Sequence, residues 1–172
     1  IGSLALYGSA YGAQIIALAA SGQKTGLALK AVDPKTGMSG GLLFGVWMIA
    51  ANLVNSAMEE GLFRGAMVRH FRIKASPWGA LLLQAALFAV WHLNWPVRML
   101  LDGDATVSQA AMEAFGLLLA TSVSGVVLGY LYLKTDNLWG PFLAHTINNS
   151  VLNTAVNGAN PYWNANEWDM TE

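Results

Sequence analysis

The chain has 172 residues and a net charge of −1; 55% of its residues are hydrophobic and only 11% are charged. An ordinary soluble domain carries roughly 25% charged residues, so this composition argues against a water-soluble domain and favours a membrane protein. The nearly neutral charge excludes a broad basic surface for nucleic acid, and the absence of cysteine excludes disulfides, thiolate nucleophiles and cysteine-ligated metals.

Five apolar runs of about 20 residues, roughly the length that spans a bilayer, predict five helices. These runs are Leu4–Ala20, Leu42–Val68, Trp78–Trp95, Met112–Leu133 and Leu138–Val156. Ser21 and Gly22 break the chain after the first run, while Pro77 suits the start of the third and Pro96 its end. We therefore predict an all-α polytopic membrane bundle of about five transmembrane or re-entrant helices, folded as a single domain over residues 1–172 with its core at 40–156.

The fourth and fifth predicted helices differ in character. The fourth carries small residues, Ser124, Gly125 and Gly129, which let helix backbones approach closely in lipid, so it is predicted to pack at the centre of the bundle. The fifth contains His145 and Asn149 among further asparagines and is too polar to face lipid.

The charges in the loops predict the orientation of the chain in the plasma or cell membrane. Arg69, Arg72 and Lys74 follow the second helix, whereas Asp102 and Asp104 follow the third. Loops rich in Lys and Arg face the cytoplasm in most membrane proteins, so the basic loop is predicted to be cytoplasmic. Three lysines between the first two helices oppose this orientation, because they would lie on the outer side: Lys24, Lys30 and Lys35.

Two adjacent carboxylates, Glu59 and Glu60, lie within the second apolar run. An ionised side chain at the bilayer centre costs at least about 2.5 kcal/mol, so such residues face the protein interior and have a partner. Arg64 lies four residues after Glu60 on the same helix face, and this order favours an ion pair. A structural role is sufficient to account for such a pair. Glu59 lies about 100° around the helix and needs another use, which makes it the better candidate for a base.

Pairs of residues four positions apart recur in two further helices. Phe88 and His92 share one face of the third helix, and His145 and Asn149 share one face of the fifth. A single histidine in an apolar helix is more often a packing residue than a catalytic one. Counted from the basic loop, however, Glu59, His92 and His145 lie at depths of about 15, 20 and 10 Å, which helix tilt can equalise. We therefore predict a central polar cavity within the membrane.

These residues resemble the signature of a known family, the CAAX protease and bacteriocin-processing (CPBP or Abi) membrane proteins, which include the type II CAAX prenyl endopeptidases. The family carries EExxxR, FxxxH and HxxxN motifs on successive core helices. This chain has EEGLFR at 59–64, FAVWH at 88–92 and HTINN at 145–149, and the likeness spans residues 40–156. Members often have more membrane helices than the five predicted here.

The resemblance implies an intramembrane endopeptidase. On this interpretation Glu59 is the general base, His92 orients or activates the same water, and His145 with Asn149 contacts the oxyanion. The second glutamate and the arginine of EExxxR then support the site structurally. A divalent metal such as zinc, held by two histidines and one glutamate with the second glutamate as base, is nearly as plausible, although HExxH is missing, and the metal is left open.

The implied partners are the lipid bilayer and a membrane-attached peptide or lipidated protein. The substrate is either a prenylated CAAX tail or a peptide pheromone or bacteriocin precursor, and the sequence does not choose between them. Two rival functions stay open. The polar cluster also suits a non-catalytic immunity or scaffold protein, and intramembrane Glu, Arg and His residues also line the paths of transporters and proton channels.

Overall fold

A computed structural model of the protein describes residues 42–157 continuously, together with residues 12, 16, 19–22, 27–29, 31–32 and 39–40, with side chains described for 12, 16, 19–22 and 43–150. Most of the predicted first helix, Leu4–Ala20, lies outside the described residues; its described positions 12, 16, 19 and 20 are helical. The predicted break after it is a turn at Ser21 and Gly22, where Gly22 has a φ of +74°.

The described part of the chain is mainly helical, which confirms the predicted class. The helical elements are α1 (Leu42–Glu60), a π-helix (Gly61–Val68), α2 (Arg69–Phe71), α3 (Pro77–His92), α4 (Asn94–Leu101), α5 (Val107–Thr135) and α6 (Trp139–Thr154). Four strands of two or three residues, which the sequence analysis did not predict, are β1 (Leu27–Leu29), β2 (Ala31–Val32), β3 (Ser39–Gly40) and β4 (Ala155–Asn157). They form two antiparallel pairs, β1 with β4 and β2 with β3.

The chain divides into two compact bodies. The central body is Ala57–Phe142, and the terminal body combines Ile1–Ser56 with Leu143–Glu172. The family motifs around residues 59–64 and 88–92 belong to the central body, and the motif at 145–149 belongs to the terminal body. The prediction of a single domain over the whole chain stays a prediction.

Helix ends in the central body follow from local capping. Ser76 accepts a hydrogen bond from the backbone N–H of Gly79 at 3.1 Å, so α3 begins at Pro77 as predicted. Thr106 and Gln109 form a capping box, which starts α5 at Val107 rather than at the predicted Met112. Asp136 adopts the left-handed conformation, with a φ of +46°, and ends α5.

The end of the third predicted helix also differs from expectation. Its α-helical turns stop at His92, and a new helix, α4, begins at Asn94 after a single intervening residue. Pro96 lies in the first turn of α4, where its missing N–H would have no helical partner in any case. Pro96 therefore does not end a helix, as the sequence analysis predicted, but is accommodated at the start of one.

The tightest packing in the central body joins α3 and α5. A Cβ atom added at Gly125 would lie 2.9 Å from the Cα of Ala85, and one at Gly129 would lie 2.6 Å from Nε2 of Gln84. At Gly125 the nearest atoms belong to the backbone of Ala85, so the absence of a side chain is what allows the two backbones to approach. At Gly129 the nearest atoms belong to the side chains of Leu81 and Gln84, which occupy the space that a methyl group would need. The predicted close approach of helix backbones at the small residues of the fourth helix is confirmed at Gly125.

Two stretches of the described residues are helical, long and apolar enough to cross a membrane, Pro77–Leu101 and Val107–Thr135. Both expose large apolar side chains, among them Leu82 and Val90 on α3 and Val123 and Val127 on α5. Such surfaces suit lipid rather than water. The complete set of five membrane-crossing helices around a central cavity stays a prediction.

Candidate active site

The core of the candidate site is the predicted ion pair of the first motif. Nη1 of Arg64 donates a hydrogen bond to Oε1 of Glu60 at 2.9 Å, and the two side chains are 0% and 1% exposed. The two charges therefore meet away from solvent, where their mutual attraction is strong but each has lost its hydration. The predicted pairing of Glu60 with Arg64 is present in the structure.

Further groups surround the buried guanidinium of Arg64. Its Cζ lies 4.5 Å from the centre of the Phe88 ring, in cation–π geometry, and its Nη2 lies 3.5 Å from the carbonyl oxygen of Gly125. Glu59, itself only 5% exposed, is a second electrostatic partner of Arg64, weaker than Glu60. A carboxylate pair, an aromatic face and a carbonyl thus replace the water that the cation has lost.

Phe88 connects the first motif to the second. Its ring packs edge to face against Phe63 with centroids 5.0 Å apart, and against the ring of His92 with centroids 4.7 Å apart. The phenyl ring that carries the cation–π contact with Arg64 therefore also supports the imidazole. The phenylalanine of FxxxH is a structural link between the arginine of EExxxR and the histidine.

The half-buried imidazole of His92 is oriented by its own helix. Nδ1 lies 2.8 Å from the carbonyl oxygen of Phe88, so Nδ1 carries the proton that this hydrogen bond requires. In the neutral imidazole this tautomer leaves a lone pair on Nε2. Nε2 is therefore the atom of His92 that can accept a proton or a hydrogen bond from water.

Sequence reasoning missed Gln84, which extends the Phe88–His92 face of α3 by one turn. Its side chain is completely buried, and its Nε2 donates to the carbonyl oxygen of Gly125 at 2.8 Å. That oxygen is the one that Nη2 of Arg64 approaches, so Gln84 and Arg64 share an acceptor on α5. The glutamine in the apolar run LLLQAALF could have identified this residue from the sequence, because a polar side chain in a membrane helix needs an internal partner.

The π-helix, Gly61–Val68, begins immediately after the two glutamates and carries Arg64. Its i→i+5 hydrogen bonds make a wider turn than the α-helix, and such segments are frequent at functional sites. Nothing in the periodicity of the sequence predicted this segment.

The third motif lies in the terminal body. His145 is buried, and Asn149 is half-buried one turn further along α6. Oδ1 of Asn149 accepts a hydrogen bond from Nδ2 of Asn148 at 3.1 Å, so the amide nitrogen of Asn149 keeps the two N–H groups that an oxyanion would need. Nδ2 of Asn52 on α1 lies 3.4 Å from Oγ of Ser150 on α6. The convergence of His145 and Asn149 with Glu59 and His92 stays a prediction.

The metal alternative, a divalent ion held by two histidines and one glutamate, stays a prediction. Over the parts of the chain that the structure describes, no three His, Asp or Glu side chains are grouped so that they could hold a metal ion.

The helical fold, its apolar exposed faces and its buried charges together define a membrane-embedded protein. The family model for type II CAAX prenyl endopeptidase Rce1-like proteins matches residues 41–151, which include all three motifs. The chain therefore belongs to this family of membrane-embedded CAAX-type endopeptidases, as the resemblance of its motifs predicted. Searches of curated proteins and of solved structures gave no match.

Proposed function

We propose that this protein is an intramembrane endopeptidase that hydrolyses a peptide bond with a water molecule activated by Glu59 and His92. One observation carries the proposal: the buried charged residues of EExxxR and the half-buried histidine of FxxxH are joined through Phe88 into one cluster. The cluster holds a carboxylate and an imidazole nitrogen at restrained positions, as general acid–base chemistry requires.

In the proposed reaction, Glu59 accepts a proton from water while the water oxygen bonds to the carbonyl carbon of the scissile peptide. His92 orients the water through Nε2, because Nδ1 is bonded to the carbonyl oxygen of Phe88. The C–N bond of the resulting tetrahedral intermediate then breaks, and the proton on Glu59 passes to the leaving amine. Glu60 is proposed to support the site through Arg64 rather than to act as the base.

His145 and Asn149 are proposed to stabilise the oxyanion of the intermediate. A buried imidazole N–H and a carboxamide N–H are suitable donors, and a single oxyanion donor is typically worth about 10²–10³ in kcat. Asn149 suits this role because its oxygen is occupied by Asn148, which directs the amide nitrogen to another acceptor.

The proposed substrate is a membrane-attached peptide with a prenylated CAAX tail. The family model that matches the chain is that of prenyl endopeptidases, and the apolar exposed faces of α3 and α5 place the protein where a prenyl chain dissolves. A prenyl group would hold the tail at the bilayer and raise its local concentration near the site.

The decisive experiment replaces Glu59 by glutamine and follows cleavage of a fluorescent prenylated CAAX peptide in liposomes. Glu59→Gln keeps the shape of the side chain but removes the base, so we expect cleavage to fall by about 10²-fold or more while the protein stays folded. Glu113→Gln is the matched control, because Glu113 is an exposed carboxylate of the central body. Unchanged cleavage in Glu59→Gln would remove this residue from the mechanism.

The same preparation separates the two rival functions. A scaffold or immunity protein would show no cleavage in the wild type, and Glu59→Gln would lower its unfolding transition. A transporter or proton channel would carry ion flux across the liposome without cutting the peptide. Cleavage by the wild type together with a folded, inactive Glu59→Gln variant is the result that only the endopeptidase explains.

A further inference from the structure

The two ends of the α3–α5 pair carry opposite charge. The helices run in opposite directions, since Gly125 lies against Ala85 and Gly129 lies against Leu81 one turn earlier in α3. The start of α3 and the end of α5 are therefore at the same end. We define the basic end as residues 69–78 with 130–139, which contain four cations, Arg69, Arg72, Lys74 and Lys134, and a single anion, Asp136.

The opposite end of the pair is acidic. Residues 98–113, which close α4 and open α5, contain Asp102, Asp104 and Glu113 and a single cation, Arg98. All four side chains are exposed. The difference in charge between the two ends is therefore a property of the surface, and no buried ion pair compensates for it at either of these described ends.

The cations of the basic end are exposed, and contacts restrain two of them. Nε of Arg69 donates to the hydroxyl of the buried Tyr132 at 2.6 Å, and Lys134 lies 5.5 Å from the centre of the Tyr130 ring. The hydrogen bond with Tyr132 raises the pKa of Arg69 above its ordinary value, so this side chain is charged throughout the physiological range. Arg69 and Arg72 also border a shallow depression on the surface.

Exposed apolar and aromatic side chains accompany these cations. Trp78 stacks on Tyr130 with ring centroids 6.0 Å apart and is still 59% exposed, while Trp139 is 67% and Ile73 is 73% exposed. Tryptophan and tyrosine favour the boundary between hydrocarbon and headgroups. The basic end also lies where both apolar spans of the central body begin or end, which is the level of the lipid headgroups.

We propose that the basic end is a binding surface for the headgroups of anionic phospholipids. Cations at a membrane surface attract anionic lipid, and the adjacent aromatic side chains hold those cations at the headgroup level. A soluble acidic protein is a poorer match, because the apolar side chains among the cations would have to leave the bilayer to meet it. Since anionic lipids are concentrated in the cytoplasmic leaflet, the proposal also places this end on the cytoplasmic side.

The test uses the absence of native cysteine, which allows a single environment-sensitive dye to be attached at either end. Ala75→Cys labels the basic end and Ala111→Cys labels the acidic end, and both positions are exposed. Each labelled full-length chain is reconstituted in phosphatidylcholine vesicles that contain brominated phosphatidylglycerol or, at the same mole fraction, brominated phosphatidylcholine. Bromine quenches the dye only when the lipid lies next to it.

At position 75 we expect brominated phosphatidylglycerol to bind at least about fivefold more tightly than brominated phosphatidylcholine. This factor corresponds to the attraction between one cation at the membrane surface and anionic lipid. At position 111 we expect no such preference. Equal quenching by the two lipids at position 75 would overturn the proposal, as would an equal preference for the anionic lipid at both positions.

A double variant, Arg72→Gln with Lys74→Gln, tests whether these cations are responsible. Its preference at position 75 should fall toward that of position 111, whereas Arg98→Gln, which removes a cation from the acidic end, should leave the preference unchanged. A preference that survives in the double variant would contradict the assignment. If the double variant does not fold, a salt titration of the wild type gives the answer, because screening must reduce a headgroup preference that is electrostatic.

Discussion

Arg64 and Arg69 are five residues apart on one helical run, yet they differ in burial and in the partners of their guanidinium groups. Arg64 is fully buried and is surrounded by Glu60, the face of Phe88 and the carbonyl oxygen of Gly125. Arg69 is exposed and donates a hydrogen bond to Tyr132. A buried guanidinium needs a partner for almost every donor, whereas an exposed one needs few because solvent or lipid headgroups supply the rest.

This contrast separates two uses of positive charge. The buried cation organises the groups around it, and its removal leaves charges and dipoles without compensation. The exposed cations contribute little to folding and are available to an external partner. Substitutions of the buried cation or of the residues that pack around it, each compared with an exposed control, therefore test these two roles directly.

The largest effect is expected from Arg64→Met. This change leaves the carboxylate of Glu60 buried without its cation, and breaking a buried pair from one side typically costs about 3–5 kcal/mol. The unfolding free energy in mixed detergent micelles measures the loss. Arg72→Met is the matched control, because Arg72 is exposed, and we expect its unfolding curve to coincide with that of the wild type. Similar small losses in both variants would show that the buried cluster does not hold the central body together.

A smaller effect on stability is expected from a substitution in α5 where this helix packs against α3. Gly125→Ala places a methyl group 2.9 Å from the backbone of Ala85, and overpacking of this kind typically costs about 1–3 kcal/mol. Gly116→Ala in the same helix has no atom within 4 Å of the added methyl and should be neutral or stabilising by about 0.5–1 kcal/mol. Thermal unfolding of the two variants should therefore shift in opposite directions. A loss of stability in both would mean that close approach is not what glycine provides at position 125.

The smallest effect on stability, but one with a distinct kinetic signature, is expected from Gln84→Leu. Loss of its hydrogen bond to Gly125 should cost about 0.5–1.5 kcal/mol. Because the same carbonyl faces Arg64, we expect kcat for the CAAX peptide to fall while KM is little changed.

Thr121→Val provides the comparison for Gln84→Leu. It removes a hydrogen bond from Thr121 to the carbonyl oxygen of Leu117 on α5 without touching the cluster. It should lower stability by a similar amount and leave kcat intact. Equal kcat values for the two variants would assign Gln84 a purely structural role.

The sequence predicted the membrane character, the helical class and the ion pair of Glu60 with Arg64, because each depends on composition or on spacing within one helix. The i to i+4 relation is a local property, so it places two side chains on the same face whatever surrounds the helix. The family was also accessible from sequence, since three short motifs in a fixed order are a specific signal even where each one is weak.

Other features depended on packing between segments distant in the chain. The position of Phe88 between Arg64 and His92 follows from the packing of α3 against the π-helix. The approach of Gln84 and Arg64 to one carbonyl of α5 follows from the packing of both segments against α5. Periodicity assigns residues to a face but does not determine which residues of another helix meet that face. The break at His92 and the π-helix were missed because small local changes in hydrogen bonding leave the apolar pattern almost unaltered.

The amino-acid sequence by itself determined that this protein belongs in a membrane, is helical and carries the motifs of a CAAX-type endopeptidase, since hydrophobicity and short-range spacing are encoded residue by residue. Only the tertiary structure decided how a buried cation is accommodated, beside the ring of Phe88 and the carbonyl oxygen of Gly125, to which Gln84 also donates. It also decided that the cations of two separate segments gather at one end of the α3–α5 pair. The physical reason is that desolvated charges are stabilised by neighbours in space, and the fold brings those neighbours from distant parts of the chain.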